Sequence, residues 1–151
     1  MSTPKVAIIM GSKSDLDIMQ KASDFLTEKN IGNEVFIASA HRTPKKVHDI
    51  AARIEDEFDV VIAGAGLAAH LPGVMASLVT KPVIGVPINA SSLNGLDSLL
   101  SIVQMPSGIP VATVAVNGSK NAAILALQFI ALKDDTVRTT LKSFRAELSN
   151  A

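Results

Sequence analysis

Five short, almost uninterrupted apolar runs limit the folding options of this chain more than any other feature: Val6–Met10, Val35–Ala38, Val60–Ala63, Val83–Val86 and Val111–Val116. A strand wetted on one face alternates apolar and polar residues. A continuously apolar strand must be covered on both faces, as in a parallel sheet between two helix layers. The intervening stretches supply the covers. Ile18, Met19, Ala22, Phe25 and Leu26 form one helical stripe, with Gly32 expected to close it. Val47, Ile50, Ala51 and Ile54 form another, with Thr43 as N-cap and Pro44 at the first helical position. A weaker helix is expected after His70, another over Leu96–Gln104, a strong one over Ala122–Leu132, and a last one carried by Val137, Leu141, Phe144 and Leu148. Strand and helix alternate throughout. The expectation is one α/β domain over residues 1–151, a three-layer sandwich around a five-stranded, mainly parallel sheet.

Composition narrows the functional classes. Fourteen basic residues balance fourteen acidic ones, and the aromatics are five Phe with no Tyr or Trp. With neither a basic stripe nor a stacking platform, no nucleic-acid partner is expected. No apolar run approaches the ~18 residues of a membrane span, and Met1-Ser2-Thr3-Pro4-Lys5 lacks the features of a secretory leader. Together with zero cysteines, this leads us to expect a cytoplasmic protein with no membrane partner. Three histidines with no i, i+4 pair give no recognisable metal site. Two stretches carry more apolar surface than one sheet buries. Lys81 is the only formal charge between Asp59 and Asp97, and residues 121–132 are apolar nearly all round. Self-association is the expected cover, with burial under the last helix as the alternative.

Three polar loops follow the first three apolar runs, and in a parallel sheet all emerge at the same carboxyl edge, where open α/β folds bind ligands. In Gly11-Ser12-Lys13-Ser14-Asp15, Gly11 permits close approach of the backbone. Ser12, Ser14 and the helix-start N–H groups can hold an anion, and Asp15 can accept from ribose hydroxyls. The plainer possibility is that Ser14 caps a helix and Asp15 complements its dipole. The loop is not a P-loop, because the required Gly-Lys-Ser/Thr spacing is absent. In Ser39-Ala40-His41-Arg42-Thr43-Pro44, Arg42 can grip a phosphate with charge-assisted hydrogen bonds and His41 can move a proton near neutral pH. The alternative there is a surface histidine beside an arginine paired to a helix carboxylate. His48 shows no partner and reads as surface.

The third loop, Ala63-Gly64-Ala65-Gly66-Leu67-Ala68-Ala69-His70-Leu71-Pro72-Gly73, contains a G-x-G-x-x-A match to the dinucleotide fingerprint. It follows the third strand rather than the first, and no Asp or Glu occurs between Asp59 and Asp97 to hold a ribose. Its small residues are better suited to letting the backbone approach a planar or anionic group, or to tight strand–helix packing.

These loops, with Asp97-Ser98-Leu99-Leu100-Ser101-Ile102-Val103-Gln104-Met105-Pro106, resemble the bacterial PurE family in order and through almost the whole chain. The resemblance implies a flavodoxin-like, Rossmann-like sandwich, usually a homo-octamer. It also implies an isomerase of de novo purine synthesis that converts N5-carboxyaminoimidazole ribonucleotide to 4-carboxy-5-aminoimidazole ribonucleotide without a cofactor. By the same resemblance His41 is the catalytic acid/base. Ser12, Asp15 and Arg42 bind the nucleotide, Ser39 helps hold its phosphate, and Gly11, Ala68 and His70 complete the candidate substrate-binding set. The small-residue loop before His70 and the Met105-Pro106 segment are expected as pocket walls. The chain departs from the family at Leu67, where glycine is common, and in the short 117–120 stretch. A direct carboxylase of aminoimidazole ribonucleotide and a non-catalytic nucleotide-sensing module are the competing readings. The carboxylase branch typically has Gly-Arg-Ser-Asn where this chain has Gly64-Ala65-Gly66-Leu67, which favours the mutase.

Overall fold

A computed structural model describes residues 2–151. Five strands alternate with helices in the order β1 (Lys5–Met10), α1 (Leu16–Glu28), β2 (Gly32–Ile37), α2 (Pro44–Glu57), β3 (Val60–Gly66), α3 (Leu71–Leu78), β4 (Val83–Ile88), α4 (Leu96–Val103), β5 (Ala112–Thr113), α5 (Ser119–Ala131) and α6 (Asp135–Ser149). One 3-10 turn, Lys13–Asp15, leads into α1. The sheet runs β2-β1-β3-β4-β5, and every pairing is parallel.

Alternate residues of the central strands feed two cores. Val6, Ile8 and Met10 of β1, with Val60 and Ile62 of β3, pack beneath α1 and α5, and α6 closes that layer through Val137 and Phe144. Ala7, Ile9, Val61 and Ala63 point the other way, against Val47, Ala51 and Ile54 of α2, Met75 of α3 and Ile102 of α4. The central strands are therefore dry on both faces, which is why their sequences do not alternate.

Three details differ from the sequence expectation. Helix α1 stops at Glu28, and the left-handed residue beyond it is Asn30 (φ 59°), while Gly32 opens β2. Thr43 occupies the N-cap of α2 but makes no capping hydrogen bond. Its hydroxyl instead accepts from Ser39 N at 2.9 Å and donates to Ser39 O at 3.1 Å, closing the loop on itself. Strand β5 has two residues rather than six. Val114 N–H reaches Gly85 O (3.1 Å) and Asn117 N–H reaches Pro87 O (2.7 Å), so this side of β4 faces β5. Pro87 has no N–H to return, and the ladder ends.

Most of the apolar surface of α5 is covered by α1, α6 and the sheet, as the alternative for that helix anticipated. Leu132 just beyond it remains 78% exposed. The larger uncovered stripe lies on α4, where Leu96, Leu100 and Val103, three to four residues apart, stand about half exposed beside Leu93.

Candidate active site

Because every strand runs the same way, the loops behind β1, β2 and β3 meet at one edge of the sheet. They enclose a pocket of about 410 Å³ lined by residues of all three loops, with Ala90 from behind β4 and Leu71 from α3. Gly11, Ser12, Ser14, Asp15, Ser39, His41 and Arg42 come from the first two loops and Gly64, Ala65, Gly66, Leu67 and Ala69 from the third. The small residues of β3 also serve packing. A Cβ on Gly64 would meet the Met19 thioether of α1, and one on Gly66 would meet Ala90.

Arg42 joins the first two loops. Its Nη2 donates to Gly11 O (3.1 Å) and its Nε to Ser39 Oγ (3.4 Å), while Arg42 N–H also donates to Ser39 Oγ (3.2 Å). No carboxylate pairs with Arg42 among the described ion pairs. The guanidinium thus retains donors for an incoming anion. Ser39 Oγ accepts from Arg42, which leaves its own O–H free to donate. In the first loop, Ser12 Oγ accepts from Ser14 N–H (3.2 Å) and lies 2.9 Å from Ser14 Oγ, ordering the turn that starts α1.

Asp15, only 8% exposed, sits at the N-cap of α1 without a capping hydrogen bond. Burial pushes its carboxyl above the ordinary carboxylate range, opposed by the Arg42 charge and the Ser12 backbone. His41 stands exposed in the loop between Ser39 and α2, its neighbours fixed by Thr43 and Pro44. An imidazole so placed can exchange a proton with a ligand whose anionic end rests on Arg42 and Ser39.

The structure brings together Gly11, Ser12, Asp15, Ser39, His41 and Arg42. Ala68 and His70 are not among the lining residues. The His70 ring folds back over α3 and fills the space a side chain at Gly73 would need. His48 lies exposed on α2. Met105 and Pro106 line a separate groove with Val103, Ser107 and Pro110. Ala90 was missed by sequence reasoning. Its signal was positional, since the loop behind a fourth parallel strand also opens at this edge.

Known proteins resemble this chain closely. An N5-carboxyaminoimidazole ribonucleotide mutase from Pyrococcus abyssi is 54% identical over 146 residues, covering 96% of this chain and 84% of the relative. The protein of the same name from Methanocaldococcus jannaschii is 56% identical over 143 residues, covering 95% and 89%. A crystal structure of PurE from Treponema denticola superposes with a TM-score of 0.89 at 32% identity, covering 97% of this chain and 92% of that one. The family model described as AIR carboxylase matches residues 5–151. The chain belongs to that family, the AIR carboxylases, in which the fold and the similarity to PurE coincide.

Proposed function

We propose that the protein is an N5-carboxyaminoimidazole ribonucleotide mutase, a single α/β domain acting in the cytoplasm on a free nucleotide, with His41 as its acid/base. The observation that carries this reading is the convergence of His41 with the Arg42–Ser39–Gly11 cluster in one pocket. Close similarity to proteins named for that activity supports it.

In this mechanism Arg42, Ser39 and Ser12 hold the phosphate, and Asp15 accepts from the ribose. Protonated His41 donates to the exocyclic nitrogen as the N–C bond breaks, giving aminoimidazole ribonucleotide and carbon dioxide. The ring carbon then attacks the carbon dioxide, and neutral His41 takes the proton that leaves that carbon. The histidine returns to its starting form and no net proton is consumed. Proton transfer of this kind is worth about 10²–10⁴ in rate, and holding carbon dioxide beside the ring supplies the entropic part.

The direct carboxylase is the second reading, favoured by the description of the matching family. Supplying N5-carboxyaminoimidazole ribonucleotide, or aminoimidazole ribonucleotide with bicarbonate, separates the two. Turnover of the first is expected, and turnover of only the second would reverse the assignment. His41→Asn is expected to abolish turnover while sparing nucleotide affinity, measured by calorimetry. Full activity in that variant would remove the mechanism. The half-exposed stripe on α4 supports assembly into a homo-oligomer, an octamer by family resemblance.

A further inference from the structure

Four non-glycine residues adopt a positive φ among those described: Asn30, Asn94, Asn117 and Leu67. Asparagine tolerates the left-handed region, but leucine does so only at a cost in strain. Leu67 (φ 57°) is the first central residue of a turn in which Ala69 N–H donates to Gly66 O at 3.4 Å, a position that turn chemistry ordinarily gives to glycine or asparagine. The strained leucine is also 54% exposed, so burial does not repay the strain. It nevertheless lines the same pocket as Ser12, Ser39, His41 and Arg42. Its neighbours in the lining from the β3 loop and from behind β4, Gly64, Ala65, Gly66, Ala69 and Ala90, are glycines and alanines with almost no side-chain reach. Leu71 is larger but buried. Backbone strain kept without a packing reward, in the lining of the candidate pocket, points to a role in the reaction.

We propose that Leu67 is the retention residue of this site, an apolar side chain that closes on the bound heterocycle and keeps carbon dioxide in and water out between the two half-reactions. The inference rests on the mutase reading above. Between the breaking of the N–C bond and the making of the C–C bond, the carboxyl group exists as free carbon dioxide, held by no covalent bond. Arg42 and the serines grip only the anionic end of the nucleotide. An uncharged molecule is confined by apolar walls, and Leu67 is the one large apolar side chain of the pocket that is still exposed. Retention sets the partition between carboxyl transfer and escape, which would leave aminoimidazole ribonucleotide as a by-product.

The test compares the parent with Leu67→Gly, Leu67→Asn and Leu67→Met. Each is given N5-carboxyaminoimidazole ribonucleotide in buffer containing ¹³C-bicarbonate, with carbonic anhydrase added to equilibrate the pool. Two quantities are read: aminoimidazole ribonucleotide released per product formed, and ¹³C found in the product. Glycine and asparagine relieve the backbone strain while removing the apolar reach. Both are expected to fold with an unchanged or higher melting temperature and to raise escape and label uptake about tenfold, the worth of a lost apolar pocket contact. Methionine should keep both near the parent values. Parent-like partition in the folded glycine and asparagine variants would overturn the role of Leu67. Absence of turnover in the parent would instead overturn the mutase reading, and this inference with it.

Discussion

Asp15 is a titratable group that lines the pocket and is nonetheless buried. Its carboxyl lies above the ordinary range because burial outweighs the Arg42 charge and the Ser12 backbone. A folded-state pKa above the unfolded one makes the ionised form destabilising at neutral pH. That penalty fades as pH falls through the folded value and the carboxyl takes up its proton. Asp15→Asn is therefore expected to melt at a higher temperature than the parent near neutrality, with the gain shrinking on acidification. The same variant should bind nucleotide more weakly, because the proposed ribose acceptor loses its charge and one of its two oxygens becomes a donor amide. Thermal melts across pH, paired with calorimetric titration, check both halves, and a gain independent of pH would refute burial as the cause. Residue types in this site were legible because few side chains bind phosphate or move protons near neutral pH. The backbone angle of Leu67 and the backward fold of His70 were not, since each depends on how β3 meets α3 in space.

At the scale of elements, the edge opposite the pocket is tied by charges. Arg53 of α2 holds both carboxylate oxygens of Glu34 on β2, at 2.7 and 2.8 Å, and reaches Glu57 at 3.0 Å. The guanidinium stands 5.5 Å from the Phe36 ring and 5.8 Å from Phe58, while Lys5 adds a 3.2 Å contact to Glu34. Isolated surface pairs contribute little, but a bidentate network between a helix and an edge strand is the favourable case. Hydrogen bonds from Arg53 hold Glu34 and Glu57 below the usual carboxylate range. Their contribution is thus present above the unfolded carboxylate pKa and is lost as pH falls through the depressed folded values. Arg53→Met should lower the urea midpoint at neutral pH, the gap closing in acid, with KM unchanged. The elements themselves were readable wherever a strand was dry on both faces or a helix had a stripe. Where expectation and structure part, the cause is one residue. Asn30 takes the left-handed turn in place of Gly32, and Pro87 cuts β5 short from across the ladder.

For the whole molecule, one sheet direction gathers the loops at a single rim, and that much followed from parallel strands alone. Where surplus apolar surface would lie was harder to foresee. Residues 121–132 look greasiest in sequence, yet α1 and α6 cover most of them, and the uncovered row is Leu96, Leu100 and Val103 on α4. A period of 3.6 identifies a face, but only packing decides which faces find cover. If that row supports the proposed assembly, Leu100→Asp should shift the sedimenting species to lower mass while retaining the helical circular dichroism of the parent. An unchanged mass would move the interface elsewhere.

The backbone N–H of Lys5, held 3.0 Å from Asp59 Oδ2, pins the start of β1 at the rim opposite the pocket. A tether or reporter fused ahead of residue 2 would hang from the molecule's underside. Immobilised through that handle on a sensor chip, each copy would present an open mouth to the flowing solution.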